Sequence, residues 1–162
     1  MKRHGDNQEL PLCRGKRFAV VVARFYSDLA DWLVDGAKRA LTDCGVEDVD
    51  VYDVPGCFEI PLACRNLIDT ERYDALVALG VVIRGETPHF DFVAGECARG
   101  IMDVQLATGV PIGFGVLTTE NALQAQERAD PQRGDKGYET ALAAAALLRL
   151  TSGVARAGFR AS

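Results

Sequence analysis

The sequence predicts an α/β protein, a single domain in which a parallel sheet is covered by helices on both faces. Four short apolar runs, of which Phe18-Ala19-Val20-Val21-Val22-Ala23 is the first, are each followed by a segment with helical spacing. The runs are continuous rather than alternating, which is the pattern of strands buried on both sides. The 162 residues suffice for one core of ordinary size and are too few for two. Strand–helix–strand units of this kind connect right-handedly.

Each element has its own signal. Residues 1–15 are rich in charge, Gly and Pro, show no period, and are expected to form a flexible arm. The folded domain is expected over 16–152, with a frayed tail over 153–162. The strand at 18–23 is followed by a helix that Ser27 or Asp28 can cap. There Leu29, Leu33, Ala37, Ala40 and Leu41 share a face, and Gly45 is placed to end it. Residues 49–54 read as a second strand. Residues 58–69 read as a helix with Pro61 in its first turn, where the missing N–H costs nothing. Residues 75–83 form a third, nearly unbroken apolar strand. Thr87 as cap and Pro88 as first helical residue open a helix to about Ala107. A fourth strand spans 111–117. Asn121 and Gln124 suggest a capping box for a helix ending near Ala129, and an Ala/Leu-rich helix over 135–150 closes the domain.

Composition narrows the function. Hydrophobic residues make up 48% and charged residues 25%, as in a globular protein. No apolar run reaches the ~18 residues of a membrane span, so no membrane partner is expected. Met1 to Arg17 carries no signal-peptide core, which points to a cytoplasmic setting. The net charge is −5 and no basic block is present, which argues against nucleic acid. The five cysteines are scattered, and His4 and His89 are the only histidines. A closed zinc site or disulfide framework is therefore not expected, and the thiols read as reduced and mostly buried.

Ligands of parallel sheets bind beyond the carboxyl ends of the strands. In this sequence the unusual residues all fall there: Arg24-Phe25-Tyr26, Pro55-Gly56-Cys57-Phe58-Glu59, Arg84-Gly85-Glu86-Thr87-Pro88-His89 and Thr118-Thr119-Glu120-Asn121. The opposite edge has plainer connections, so one composite site is expected. Gly80-Val81-Val82-Ile83-Arg84-Gly85-Glu86-Thr87 fits the P-loop frame except that Glu86 stands where lysine must reach the phosphates. That reversal of charge argues against a nucleotide triphosphatase. A glycine turn feeding a helix N-terminus still offers free N–H groups to one phosphate. His89 lies beside that turn, where an imidazole can take and return protons; the alternative is an exposed capping histidine. Cys57 in a glycine turn suggests either a nucleophile paired with His89 or a small buried hydrophobe, and no third orienting residue supports the pair. Phe25, at a strand end, can stack on a flat ligand, whereas Phe58 and Phe114 are core residues by default.

Ala23-Arg24-Phe25, Val54-Pro55-Gly56-Cys57-Phe58-Glu59-Ile60-Pro61, Leu79 to Asp91, Gly115 to Asn121, Gln124 to Ala129 and Asp135-Lys136-Gly137 closely resemble the 6,7-dimethyl-8-ribityllumazine synthases, in order over about 16–150. The resemblance implies a flavodoxin-like, three-layer α/β/α sandwich with a four-stranded parallel sheet. It implies a transferase that condenses 5-amino-6-(D-ribitylamino)uracil with 3,4-dihydroxy-2-butanone 4-phosphate and releases phosphate and water, with neither metal nor organic cofactor. Phe25 would face the pyrimidine ring, and Val81, Val82 and Ile83 its polar edge. Gly56, Cys57, Phe58 and Glu59 would line the ribityl chain, and Phe114 would come from a neighbouring subunit. Gly85, Glu86 and Thr87 would hold the phosphate with Arg128 and Lys136, and His89 would carry protons.

Glu86 departs from the small residue common among relatives and sets a carboxylate beside the phosphate unless it turns toward Arg84 or solvent. Cys57 replaces a commoner alanine or serine. The resemblance also implies a homo-oligomer, either a pentamer or an icosahedral shell of pentamers, with riboflavin synthase a possible associate. The short stretch at 129–134 permits a shell. A related archaeal-type riboflavin synthase and an inactive flavin-binding or shell protein are the competing readings. The first fits the His89 turn and Gly56 loop less well, and the second has no need of His89, Arg128 and Lys136 together.

Overall fold

A computed structural model describes residues 9–158, with side chains placed to residue 153. His4 and most of the expected N-terminal arm lie outside the described residues. Within them the elements run β1 (Arg17–Ala23), α1 (Ser27–Asp43), β2 (Asp48–Val54), α2 (Ile60–Asp69), β3 (Ala75–Ile83), α3 (His89–Thr108), β4 (Ile112–Thr119), α4 (Ala122–Ala129) and α5 (Lys136–Gly158). The four strands are parallel, in the order β2-β1-β3-β4. The chain begins in the middle of the sheet, steps outward to β2, then crosses β1 to build β3 and β4. The point where the order reverses lies between β1 and β3, and there the connections leave a crevice at the carboxyl edge.

Period-two alternation divides the central strands between two cores. Phe18, Val20 and Val22 of β1 face α1, α4 and α5, whereas Ala19, Val21 and Ala23 face α2 and α3. Three layers result, as the continuous apolar strands predict. The close approach of α1 and α5 depends on glycine. A Cβ on Gly137 would stand 2.1 Å from the Leu33 carbonyl oxygen, and one on Gly36 would stand 2.7 Å from the Tyr138 amide.

Several boundaries move from their sequence expectation for local reasons. Gly45 does end the first helix, with φ +76° and its amide on the Thr42 carbonyl at 3.0 Å. Neither Ser27 nor Asp28 caps that helix; Tyr26 occupies the N-cap without a side-chain bond. The segment at 57–59 is a short 3₁₀ turn before α2, and the Glu59 carboxylate turns back to accept from the Gly56 amide at 3.0 Å. Pro88 is the N-cap of α3 and His89 its first residue, while the Thr87 hydroxyl accepts from the His89 amide at 3.4 Å. Asn121 caps α4 by accepting from Gln124 N at 2.9 Å, and Gln124 reaches back to the Glu120 amide at 2.8 Å. β4 extends to Thr119 because it pairs with β3 up to Ile83, and α5 continues beyond Leu150. At the chain start, Cys13 is buried and its amide donates to the Cys44 carbonyl at 2.8 Å, so residues just before β1 pack on the domain.

Candidate active site

A cleft of about 220 Å³ opens at the carboxyl edge between β1 and β3. Phe25 and Tyr26 reach it from the end of β1, Cys57 from the 3₁₀ turn, Val81, Val82 and Ile83 from β3, Gly85 and Thr87 from the turn after β3, and His89 from α3. A wider adjoining depression of about 450 Å³ adds Gly56, Phe58 and Glu59 and shares Phe25 and His89 with the first. The sheet topology thus gathers the polar and aromatic turns that follow three strands into one place.

Each side chain is presented for a physical reason. The strands end on the same edge, so the residues after each end enter solvent together. Phe25 is 74% exposed, and its ring meets Tyr26 edge to face at 4.9 Å, leaving a face open to the cleft. Phe58 is also exposed, as a lining residue and not a core one. The turn at 85–87 leads straight into α3, with the His89 amide donating to the Thr87 hydroxyl at 3.4 Å and the Asp91 amide to the Pro88 carbonyl at 3.0 Å. His89 sits where that helix begins.

Cys57 does not behave as a nucleophile. It is 5% exposed, its thiol lies 3.8 Å from the Val81 carbonyl it donates to, and burial pushes the thiol up to about 11 despite that bond. Its neighbour explains a glycine in the middle of β3, because a Cβ on Gly80 would stand 2.6 Å from Cys57 Sγ. The thiol is packed into the floor of the cleft, which supports the reading of a small buried hydrophobe.

Two strand-end arginines frame the cleft. Arg24 pairs with Asp53 at 2.9 Å and Asp31 at 2.5 Å; Arg84 pairs with Glu120 at 2.8 Å and Asp91 at 3.2 Å and lies 4.4 Å from the Phe90 ring centre. Glu86 therefore does not turn to Arg84, which is engaged elsewhere; it is exposed and makes no ion pair among the described residues. Four expected site residues, Glu86, Phe114, Arg128 and Lys136, do not line the cleft of their own chain. Phe114 lies on β4 opposite Ala78, five positions before the Ile83–Thr119 pair, or about 16 Å down the strand. The Arg128 guanidinium donates to the Gln124 carbonyl at 3.1 Å, and Lys136 pairs with Glu139 at 3.0 Å.

Tyr26, Phe90 and Val93 line the cleft without having been assigned to it from the sequence. The signal for Val93 was present: it follows His89 by four positions and Phe90 by three, the spacings that bring helix side chains to one face.

A parallel sheet with an exposed aromatic, a glycine turn leading into a helix and a histidine gathered at its switch point defines an α/β enzyme with a strand-edge site. The sequence model of the family described as 6,7-dimethyl-8-ribityllumazine synthase matches residues 15–152. Among curated relatives, proteins of that name are 49% identical in Desulfotalea psychrophila, 46% in Desulfatibacillum aliphaticivorans and 45% in Syntrophus aciditrophicus. The matches cover 84%, 84% and 86% of this chain and 89%, 89% and 92% of the relatives. The chain belongs to the 6,7-dimethyl-8-ribityllumazine synthase family and is a transferase of riboflavin biosynthesis.

Proposed function

We propose that the cleft between β1 and β3 is where this chain carries out its reaction, the condensation of 5-amino-6-(D-ribitylamino)uracil with 3,4-dihydroxy-2-butanone 4-phosphate. The observation that carries the assignment is that Phe25, Val82, Ile83, Gly85, Thr87 and His89 line one cavity. The pyrimidine stacks on Phe25 and meets the backbone at Val81, Val82 and Ile83. Gly56, Cys57, Phe58 and Glu59 flank the ribityl chain. The phosphate rests on the amides of Gly85, Glu86 and Thr87 at the start of α3.

Imine formation, loss of phosphate and ring closure are mainly proton transfers between two held molecules. Juxtaposition supplies much of the acceleration, with effective molarities of roughly 10⁵ M for well-aligned groups. His89 lines the same cavity as Phe25, Gly85 and Thr87 and moves the protons. Phe114, Arg128 and Lys136 reach the cleft from a neighbouring copy of the chain, since none of them lines their own. The protein is thus a homo-oligomer, as a pentamer or a shell of pentamers, and riboflavin synthase is a candidate associate. All five cysteines are free, which suits a reducing cytoplasm, and no helix of the described residues is long and apolar enough to cross a membrane.

Purified protein given both substrates should form the fluorescent lumazine, and His89→Ala should lower kcat by about 10²-fold or more with the substrate KM values little changed. Wild-type kcat in that variant would remove His89 from the chemistry.

A further inference from the structure

The two central strands end in the same construction. Arg24 follows β1 and Arg84 follows β3, and each donates its amide to the last carbonyl of the adjoining edge strand, Val54 for Arg24 and Thr119 for Arg84, both at 2.9 Å. Each guanidinium then forks. One nitrogen takes a carboxylate at the end of that edge strand, Asp53 or Glu120. The other takes a carboxylate seven residues further along the chain, near the start of the following helix, Asp31 or Asp91. Each arginine thereby ties a central strand, an edge strand and a helix together at the mouth of the cleft, with one half of the site lying between its two anchors. Phe25 lies between Arg24 and Asp31; Gly85, Thr87, His89 and Phe90 lie between Arg84 and Asp91.

We propose that Arg24 and Arg84 are twin positioning residues, Arg24 setting the aromatic half that receives the pyrimidine and Arg84 setting the turn that receives the butanone phosphate. The inference rests on the proposed placement of the two substrates in the cleft. The pairs are largely exposed, and exposed pairs contribute little to stability. Their consequence therefore lies in geometry, because a displacement of about 1 Å in a site built on juxtaposition can cost up to about 10²-fold. A planar fork holding two carboxylates at once is a task for arginine, since lysine presents a single point charge.

Steady-state kinetics with each substrate varied in turn provides the test. Arg84→Ala should raise KM for the butanone phosphate roughly tenfold and leave KM for the pyrimidine within about twofold; Arg24→Ala should do the reverse. Arg84→Lys and Arg24→Lys should fall between wild type and alanine. Asp91→Asn and Asp31→Asn open the same clamps from the helix side with minimal change of shape, and should move the same KM in the same direction. They keep the test decisive if an alanine variant misfolds. Urea midpoints should stay close to wild type throughout. An active wild type whose variants raise both KM values together, or neither, would overturn the clamp assignment alone. A wild type that makes no lumazine would overturn the reaction placement and this assignment with it.

Discussion

Cys57 shows how the same residue type takes opposite meanings from its surroundings. In the sequence it stands in a glycine turn at a helix start, a position that favours a thiolate. In the fold the turn delivers it downward, against Gly80 and the Val81 carbonyl, and burial outweighs any help from the turn. The other thiols follow. Burial raises Cys13, takes Cys44 to about 11, and takes Cys64 and Cys97 to about 12, against an ordinary 9.0. A group whose pKa is raised by folding adds stability that is complete below its unfolded value and is lost as pH climbs through the folded one. The urea midpoint should therefore fall as pH rises from about 9 toward 12, and substituting alanine for Cys64 should flatten that decline. Iodoacetamide at pH 8 should leave the native protein unlabelled and label all five cysteines in urea. Rapid labelling of Cys57 in the native state would restore it as a nucleophile.

Elements are legible where a pattern is repeated along them, and their junctions are not. The four strands and the alternation with helices follow from runs and periods, and the Asn121–Gln124 box is readable because its two bonds need those residues at that spacing. The start of α1 differs from expectation because Ser27 and Asp28 are good caps in isolation, yet the chain leaving β1 enters the helix one residue earlier, at Tyr26. The turn proposed to hold the phosphate is legible from its glycine and threonine. That Arg84 is already taken, and so leaves Glu86 alone, is not, since Arg84 meets Glu120 only through sheet pairing. The α1–α5 contact is equally hidden. Gly137 reads as a weak helix residue, whereas in the fold it admits the Leu33 backbone. Gly137→Ala would raise helix propensity by about 1 kcal/mol in an isolated helix. Here the new methyl meets a backbone oxygen that no rotamer change can move, and overpacking of this kind costs typically about 1–3 kcal/mol or more. Urea denaturation should show a net destabilisation smaller than that cost by the propensity gain, up to about 2 kcal/mol or more, and an unchanged or higher midpoint would mean that α1 and α5 part without cost.

For the whole molecule, the position of Phe114 is the decisive geometry. It is 47% exposed on the outer strand β4, with a large apolar ring set away from its own cleft. Other exposed apolar side chains, Phe92, Met102, Leu106 and Leu123 among them, lie on α3 and α4. The homo-oligomer proposed above accounts for Phe114 if it is a head-to-tail ring, since a heterologous contact repeated around an axis would set β4 of one copy against the cleft of the next. In that proposed ring His89 serves its own chain's cleft and Phe114 the neighbour's, so His89→Ala and Phe114→Ala would damage different chains' contributions to a shared site. When the two variants are co-expressed in equal amounts, a site is whole only if its own chain supplies His89 and the adjoining chain supplies Phe114. Random assembly makes that about one site in four, and the mixed oligomer should recover about a quarter of wild-type kcat, well above either parent. If Phe114 acted within its own chain, every mixed site would lack one residue or the other, and activity would stay at the level of the parents.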